Sequence, residues 1–176
     1  MIKKFCYTLI AILLLSLICG CTSNTPDSLK FYVLSREYIN EGMSDNKIVS
    51  TAKEHGRFVF DGSDISGYNW QSHTITLNED SVPTIGTVTA EKGGSALFKV
   101  DDSYAFVLVL KNELVYVGGF NNGTKSPDIP LQPYIKDETR YSFSIQFDSK
   151  YSSTSDNRAN TKLYNFLEYQ GLLTTK

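Results

Sequence analysis

YAFVLVLKNELVYVGGF, residues 104–120, is the stretch on which the fold turns. Two runs of aliphatic, aromatic and β-branched residues, 104–110 and 114–120, flank the polar triplet Lys111-Asn112-Glu113. So short a link cannot carry a crossover, so the two runs must pair antiparallel as a hairpin. A third run, 95–100, precedes them across Asp101-Asp102-Ser103 and extends the hairpin into a meander. YSFSIQF, residues 141–147, is the cleanest alternation in the chain. A period of two sets Phe143, Ile145 and Phe147 toward a core and Ser142, Ser144 and Gln146 away from it.

Working outward, residues 29–34 (LKFYVL) and 57–60 read as strands. Residues 73–77 (HTITL) alternate, with Ile75 and Leu77 on one face, and 85–89 form a candidate short strand. Residues 61–67 (DGSDISG) carry turn chemistry. A helix is expected over 44–55. Ser44 is in the capping position with Asp45 in the first turn. Met43 and Ile48 are spaced as a hydrophobic staple, Ile48, Val49 and Ala52 make a stripe, and Gly56 is the stop. A last helix shows one face of Ala159, Leu163, Phe166, Leu167 and Gln170, with Asp156 as cap and Gly171 as stop. Between 121 and 136 lies a Gly/Pro-rich loop. The expected fold is α+β, an antiparallel sheet of about five to seven strands with two helices on one face.

Upstream of residue 29 the chain changes character. Lys3 and Lys4 are followed by an uncharged stretch, residues 5–20, that is 16 residues long. A spanning helix needs roughly 20 apolar residues, and Thr22 to Pro26 bring no positive stop-transfer cluster. A positive start, a short apolar core and small residues make a secretory signal peptide. The chain has three cysteines, Cys6, Cys19 and Cys21. A zinc or redox pair would need further ligands or C-x2-C-type spacing, and Cys6 lies inside the apolar run. Ile18-Cys19-Gly20-Cys21 resembles the lipobox of bacterial lipoproteins. A branched apolar residue stands three before the modified cysteine and a small residue directly precedes it. Cys19 is less usual in its place than Ala, Ser or Thr. The resemblance implies cleavage after Gly20, diacylglycerol on the Cys21 sulfur and often acylation of the new amino group. Each buried methylene contributes about 0.8 kcal/mol, so two or more chains hold a domain stably on a membrane.

The expected organisation is therefore a lipoprotein signal peptide at 1–20, a flexible tether at 21–28 and a single α+β domain at 29–176. The chain would be exported and anchored to the membrane through lipidated Cys21. That means the outer membrane in a diderm host, or the outer face of the cell membrane in a monoderm one. The 17 basic and 19 acidic residues give a formal charge of −2. Only Lys3 and Lys4 leave with the leader, which takes the remainder to −4. The charges are scattered and form no basic stripe, which argues against nucleic acid as a partner.

Candidate chemistry is sparse. His73 shares a face with Ile75 and Leu77, the ordinary position of a buried, hydrogen-bonded histidine. The functional reading makes it a general base oriented by Asp61 or Asp64. No serine lies in a G-x-S-x-G elbow, and His55 falls at a helix end, where the dipole favours its charged form. Two isolated histidines do not make a zinc motif. Asp61-Gly-Ser-Asp64 resembles a calcium loop only in part, since Ser72 stands where an EF-hand has its glutamate. No metal and no cofactor motif is present. Tyr68 and Trp70, two apart, could form an aromatic platform or fill a core. Pro127, Pro130 and Pro133 are spaced by three, as on one edge of a polyproline II helix, and Ile129 and Leu131 would supply apolar contact there. Asn122-Gly-Thr124 matches a glycosylation sequon but reads as a turn in a bacterial lipoprotein.

Three functional readings follow. The first is a non-catalytic envelope lipoprotein whose domain binds a protein or a glycan. The second is an envelope hydrolase centred on His73 with Asp61 or Asp64. The third, a special case of the first, is an exclusion or immunity lipoprotein that blocks a receptor or toxin.

Overall fold

The computed structural model describes residues 29–81, 98, 103–120, 132–137, 139, 141–148, 156 and 158–175. Its elements run β1 (Leu29–Ser35), α1 (Asp45–His55), β2 (Arg57–Asp61), β3 (Ile65–Asn69), β4 (Thr74–Leu77), β5 (Tyr104–Leu110), β6 (Glu113–Phe120), β7 (Tyr134–Asp137), β8 (Ser142–Gln146), α2 (Thr161–Tyr169) and β9 (Leu173–Thr175). One-turn 3-10 helices follow β1 and β2. The expected strands at 85–89 and 95–100 fall outside the described residues, apart from Phe98, which is buried.

The class is α+β, as expected, but the sheet is larger and mixed. Nine strands pair in the order β2-β1-β5-β6-β7-β8-β4-β3-β9. β6–β7 and β3–β9 are parallel, and every other pairing is antiparallel. Two of the additional strands are short and non-local. β7 forms at the end of the stretch read as a Gly/Pro loop, and β9 follows Gly171, which turns the chain at φ 69°. β3 occupies residues read as turn or left unassigned.

The sheet is strongly curled. Phe31 on β1 and Phe143 on β8 are four pairings apart, about 19 Å across a flat sheet at the usual strand spacing. Their ring centroids are 5.8 Å apart. Phe60 on β2 is further still along the sheet and lies 5.9 Å from Phe143. The inner face therefore closes on itself around Phe31, Phe60, Phe98, Phe106 and Phe143, with Leu163, Phe166 and Leu167 of α2 in the same core. A smaller core lies outside. α1 sets Ile48, Val49 and Ala52 against Tyr32, Leu34, Ala105, Val107 and Val109. The helices thus pack on opposite sides of the sheet, not on one face.

Several local expectations also need correction. Phe143 and Ile145 are fully buried, but Phe147 is only half-buried, because β8 ends at Gln146 and the alternation ends with it. Ser144, expected outside, is buried, since β8 lies between β7 and β4 and its hydroxyl accepts from Gln146 Nε2 at 2.8 Å. The α2 cap is Asn160, whose Oδ1 accepts from Leu163 N at 3.0 Å. Asp156 is instead taken up by Arg158. In α1, Ser44 has the extended backbone of a cap residue without a side-chain cap bond, and Gly56 ends the helix at φ −81°, not in the left-handed region.

Candidate functional site

The hairpin read from residues 104–120 forms one wall of a groove. β5 and β6 pair from Ala105↔Gly119 to Leu110↔Glu113, with a register shift after Leu108. That irregularity turns both Val115 and Tyr116 toward the inner core. The opposite wall is α2. Lys162, Asn165, Phe166 and Tyr169 recur at helical spacing and share one face of it. Between the walls is a groove of about 550 Å³, within the roughly 300–1,000 Å³ of ligand-binding clefts. Leu110, Leu114, Val115 and Phe166 give it an apolar floor, with Asn160, Asn165, Gln170 and Lys111 around them.

Tyr169 stands at the rim with 74% of its surface exposed, the most exposed large apolar side chain among the described residues. Lys162 Nζ and Glu113 pair from helix to hairpin. Both ends of that pair are exposed, so it orients the mouth more than it stabilises the fold. The groove offers an apolar trough with amide and ammonium groups and the Glu113 carboxylate at its edges, the pattern of a site for a ligand with an apolar body and a polar end.

His73 lies elsewhere. The turn after β3 brings it to φ 50°, and its backbone carbonyl accepts from Ile145 N at 2.9 Å. Its Nδ1 is 3.1 Å from the Tyr68 hydroxyl. Tyr116 lies beside Tyr68 and donates its hydroxyl to the Arg158 carbonyl. Arg158 binds Asp156 through Nε, 2.9 Å from Oδ1, and Nη2, 2.7 Å from Oδ2, and its Nη1 donates to the Ile145 carbonyl at 3.0 Å. Burial, then the Arg158 charge, holds His73 below the usual imidazole range. The Arg158 hydrogen bond holds Asp156 below the usual carboxylate range. Burial pushes both phenols up, so they stay protonated.

The structure does not bring Asp61 or Asp64 to this histidine. The Asp61 carboxylate accepts from Ser63 N and Oγ, and Asp64 accepts from Asp61 N, a reciprocal cap on the short turn between β2 and β3. Tyr68 and Trp70 are neighbours, with ring centroids 5.8 Å apart. Tyr68 is 1% exposed and belongs to the core, so only Trp70 reaches the surface, packed edge-on to Tyr164 at 4.9 Å. Cys21, Ile129 and Leu131 lie outside the described residues. Among the described residues no three His, Cys, Asp or Glu side chains are grouped to hold a metal ion.

The groove was not read as a site from the sequence, although Phe166 and Gln170 were placed on a helix face and Lys111 and Glu113 in the hairpin turn. The available signal was Tyr169, a ring three positions after Phe166 and off the stripe that ends at Gln170. Comparison with protein-family models, with curated proteins and with solved structures gave no match.

Proposed function

We propose that this chain is a cell-envelope lipoprotein, anchored through Cys21, whose domain is a non-catalytic binding module with the α2–hairpin groove as its contact site. The groove carries this reading. It is concave and apolar at its floor, edged by Asn160, Asn165, Gln170 and Lys111, and marked by an exposed aromatic ring. Aromatic side chains beside a desolvated trough are what contact sites use for affinity. The His73 cluster supports the same reading, because its Tyr68, Tyr116, Arg158 and Asp156 groups bond to one another and to backbone. The anchor rests on Ile18-Cys19-Gly20-Cys21. Blocking a receptor or a toxin is one use of such a module.

A photo-crosslinking residue at position 169, compared with one at the exposed Ser50 of α1, tests the site in cells. A discrete adduct from 169, to protein or to lipid, and none from 50 is expected. Equal adducts, or none from 169, would overturn the assignment of the groove. A clickable fatty acid tests the anchor. Label should vanish in Cys21→Ser and persist in Cys19→Ser, and label retained by Cys21→Ser would remove Cys21 as the attachment site.

A further inference from the structure

The position of the groove relative to the start of the folded chain narrows what it contacts. Leu29, the first residue of β1, is the register partner of Leu110, which lines the groove. Partners across an antiparallel pair have Cα atoms about 4.5–5.5 Å apart, so the chain enters the domain at the wall of the groove. Cys21 is eight residues earlier. At about 3.3–3.6 Å per residue, a fully extended chain spans at most about 26–29 Å over that interval. A domain of this length has a radius of gyration near 15 Å, equivalent to a sphere about 38 Å across. The connection is thus shorter than the domain is wide, so a lipid on Cys21 can reach the groove-bearing end but cannot run round to the far one.

We propose that the groove-bearing end is the membrane-docking face of the domain, and that its ligand is the phospholipid surface to which Cys21 tethers it. This rests on the groove being the contact site and names what it contacts. Tyr169 and the apolar trough of Leu114, Val115 and Phe166 are suited to the boundary between headgroups and acyl chains, where an aromatic ring with a polar tip settles. Lys111 flanks the mouth and can reach phosphate while its stem lies along apolar surface, whereas Lys162 shares its ammonium with Glu113. Lys53 adds a third ammonium at the hairpin tip, held by Asn112 Oδ1 at 2.8 Å. Glu113 and Glu168 are the opposing carboxylates on the hairpin and α2. Docking should therefore depend chiefly on the ring and the trough and only mildly on salt. The other exposed rings among the described residues, Phe58, Tyr38 and Tyr104, belong to different parts of the surface, Tyr104 opening β5 opposite Ser35 at the far end of β1. Phe58 lies against Tyr32 on the α1 side, and Tyr38 follows the far end of β1, stacked on His55.

The test uses the chain from Cys21 onward. Every described element lies at or beyond Leu29, so removing residues 1–20 takes none of them. Cys21 is then the only thiol and can be coupled to a maleimide lipid in phosphatidylcholine–phosphatidylglycerol vesicles, which fixes the tether whether or not cells lipidate it. Tyr169→Trp and Phe58→Trp are compared for quenching by brominated acyl chains, with the signal of the natural Trp70 subtracted. A docked face buried some 5–10 Å into the interface should give at least about twofold stronger quenching at 169 than at 58. Adding Leu114→Asp should abolish the difference. Equal quenching at both positions, or stronger quenching at 58, would overturn the proposal. A protein adduct at 169 in cells without quenching at 169 would sink the membrane face and leave the binding module standing. Quenching at 169 in a chain that takes no fatty acid in cells would do the reverse for the anchor.

Discussion

Gly118→Ala should be among the most damaging single-methyl changes in this domain. The nine-stranded sheet is two runs of strands joined by one short parallel seam, where β6 meets β7 at Gly119↔Tyr134 and Phe120↔Ile135. Gly118 stands at that seam. A Cβ built on it would lie 2.6 Å from Phe106 Cε1 and 2.8 Å from Cζ, and closer still to the Pro133 carbonyl oxygen. Carbon atoms pack at about 3.5–4.0 Å, so the ring must retreat by at least about 0.9 Å. The carbonyl must retreat further. That same oxygen accepts from Gly119 N at 3.0 Å, and lengthening it by that much passes the roughly 3.2 Å limit of a sound N–H···O bond. Overpacking a filled core costs about 1–3 kcal/mol. A buried backbone group left unpaired costs about 1–3 kcal/mol more. We expect roughly 3–5 kcal/mol in a denaturant melt, and a fall in Tm of about 10–15 °C for a domain of this length. Amide exchange is the second readout, with Gly119 losing protection before the antiparallel pairs of β1 and β5. A Tm change under about 3 °C with the Gly119 amide still protected would refute the claim that this close approach joins the sheet.

Two further predictions separate core from rim and neutral from charged histidine. Phe143→Ala removes a fully buried ring that meets Phe31, Phe60 and Phe98, and should cost about 3–5 kcal/mol. Phe147→Ala, at a half-buried ring with Arg158 5.9 Å from its centroid, should cost under about 1.5 kcal/mol, and similar losses from the two in a urea melt would show the inner face misassigned. The depressed His73 pKa makes stability fall as pH drops from about 7 through the unfolded value of 6.5 toward its lower folded value. The unfolded chain takes a proton there that the folded one refuses. His73→Gln should flatten Tm against pH in that window, leaving the more acidic loss from the depressed Asp156 in place, and an unchanged slope would show that His73 does not titrate as its surroundings dictate.

What was legible in the sequence was local. The β5–β6 hairpin, the α1 stripe of Ile48, Val49 and Ala52, and the inward pair Phe143 and Ile145 rest on spacing within one segment, and each lies where it was expected. What was missed depends on pairing between distant segments. β7 and β9 have only four and three residues and join the sheet partly through parallel partners, so no turn in the sequence announces them. Gly67 reads as a turn residue but sits inside β3. A Cβ there would be 2.6 Å from the Thr174 methyl, so the missing side chain admits β9 alongside. The groove was invisible for the same reason. Its two walls, the hairpin and α2, are some fifty residues apart, and neither is unusual alone.

One long-range feature could have been read. Residues 105–110, AFVLVL, contain no polar residue, whereas a strand with one wet face alternates. An unbroken apolar run in the middle of a hairpin means burial on both faces, which two helices stacked on a single face cannot supply. The structure divides that run cleanly. Phe106, Leu108 and Leu110 enter the inner core, while Ala105, Val107 and Val109 meet α1. The side chains facing α1 are the smaller set, and Ala52 of α1, fully buried, faces them. Within this run the ring and the leucines go to the curled interior, although Tyr32 and Leu34 of β1 also face α1. The sheet had to be covered on two sides by elements that differ in what they bury. α1 covers the outer face through Ile48, Val49 and Ala52, whereas α2 reaches the inner core through Leu163, Phe166 and Leu167 and leaves the groove beside the hairpin.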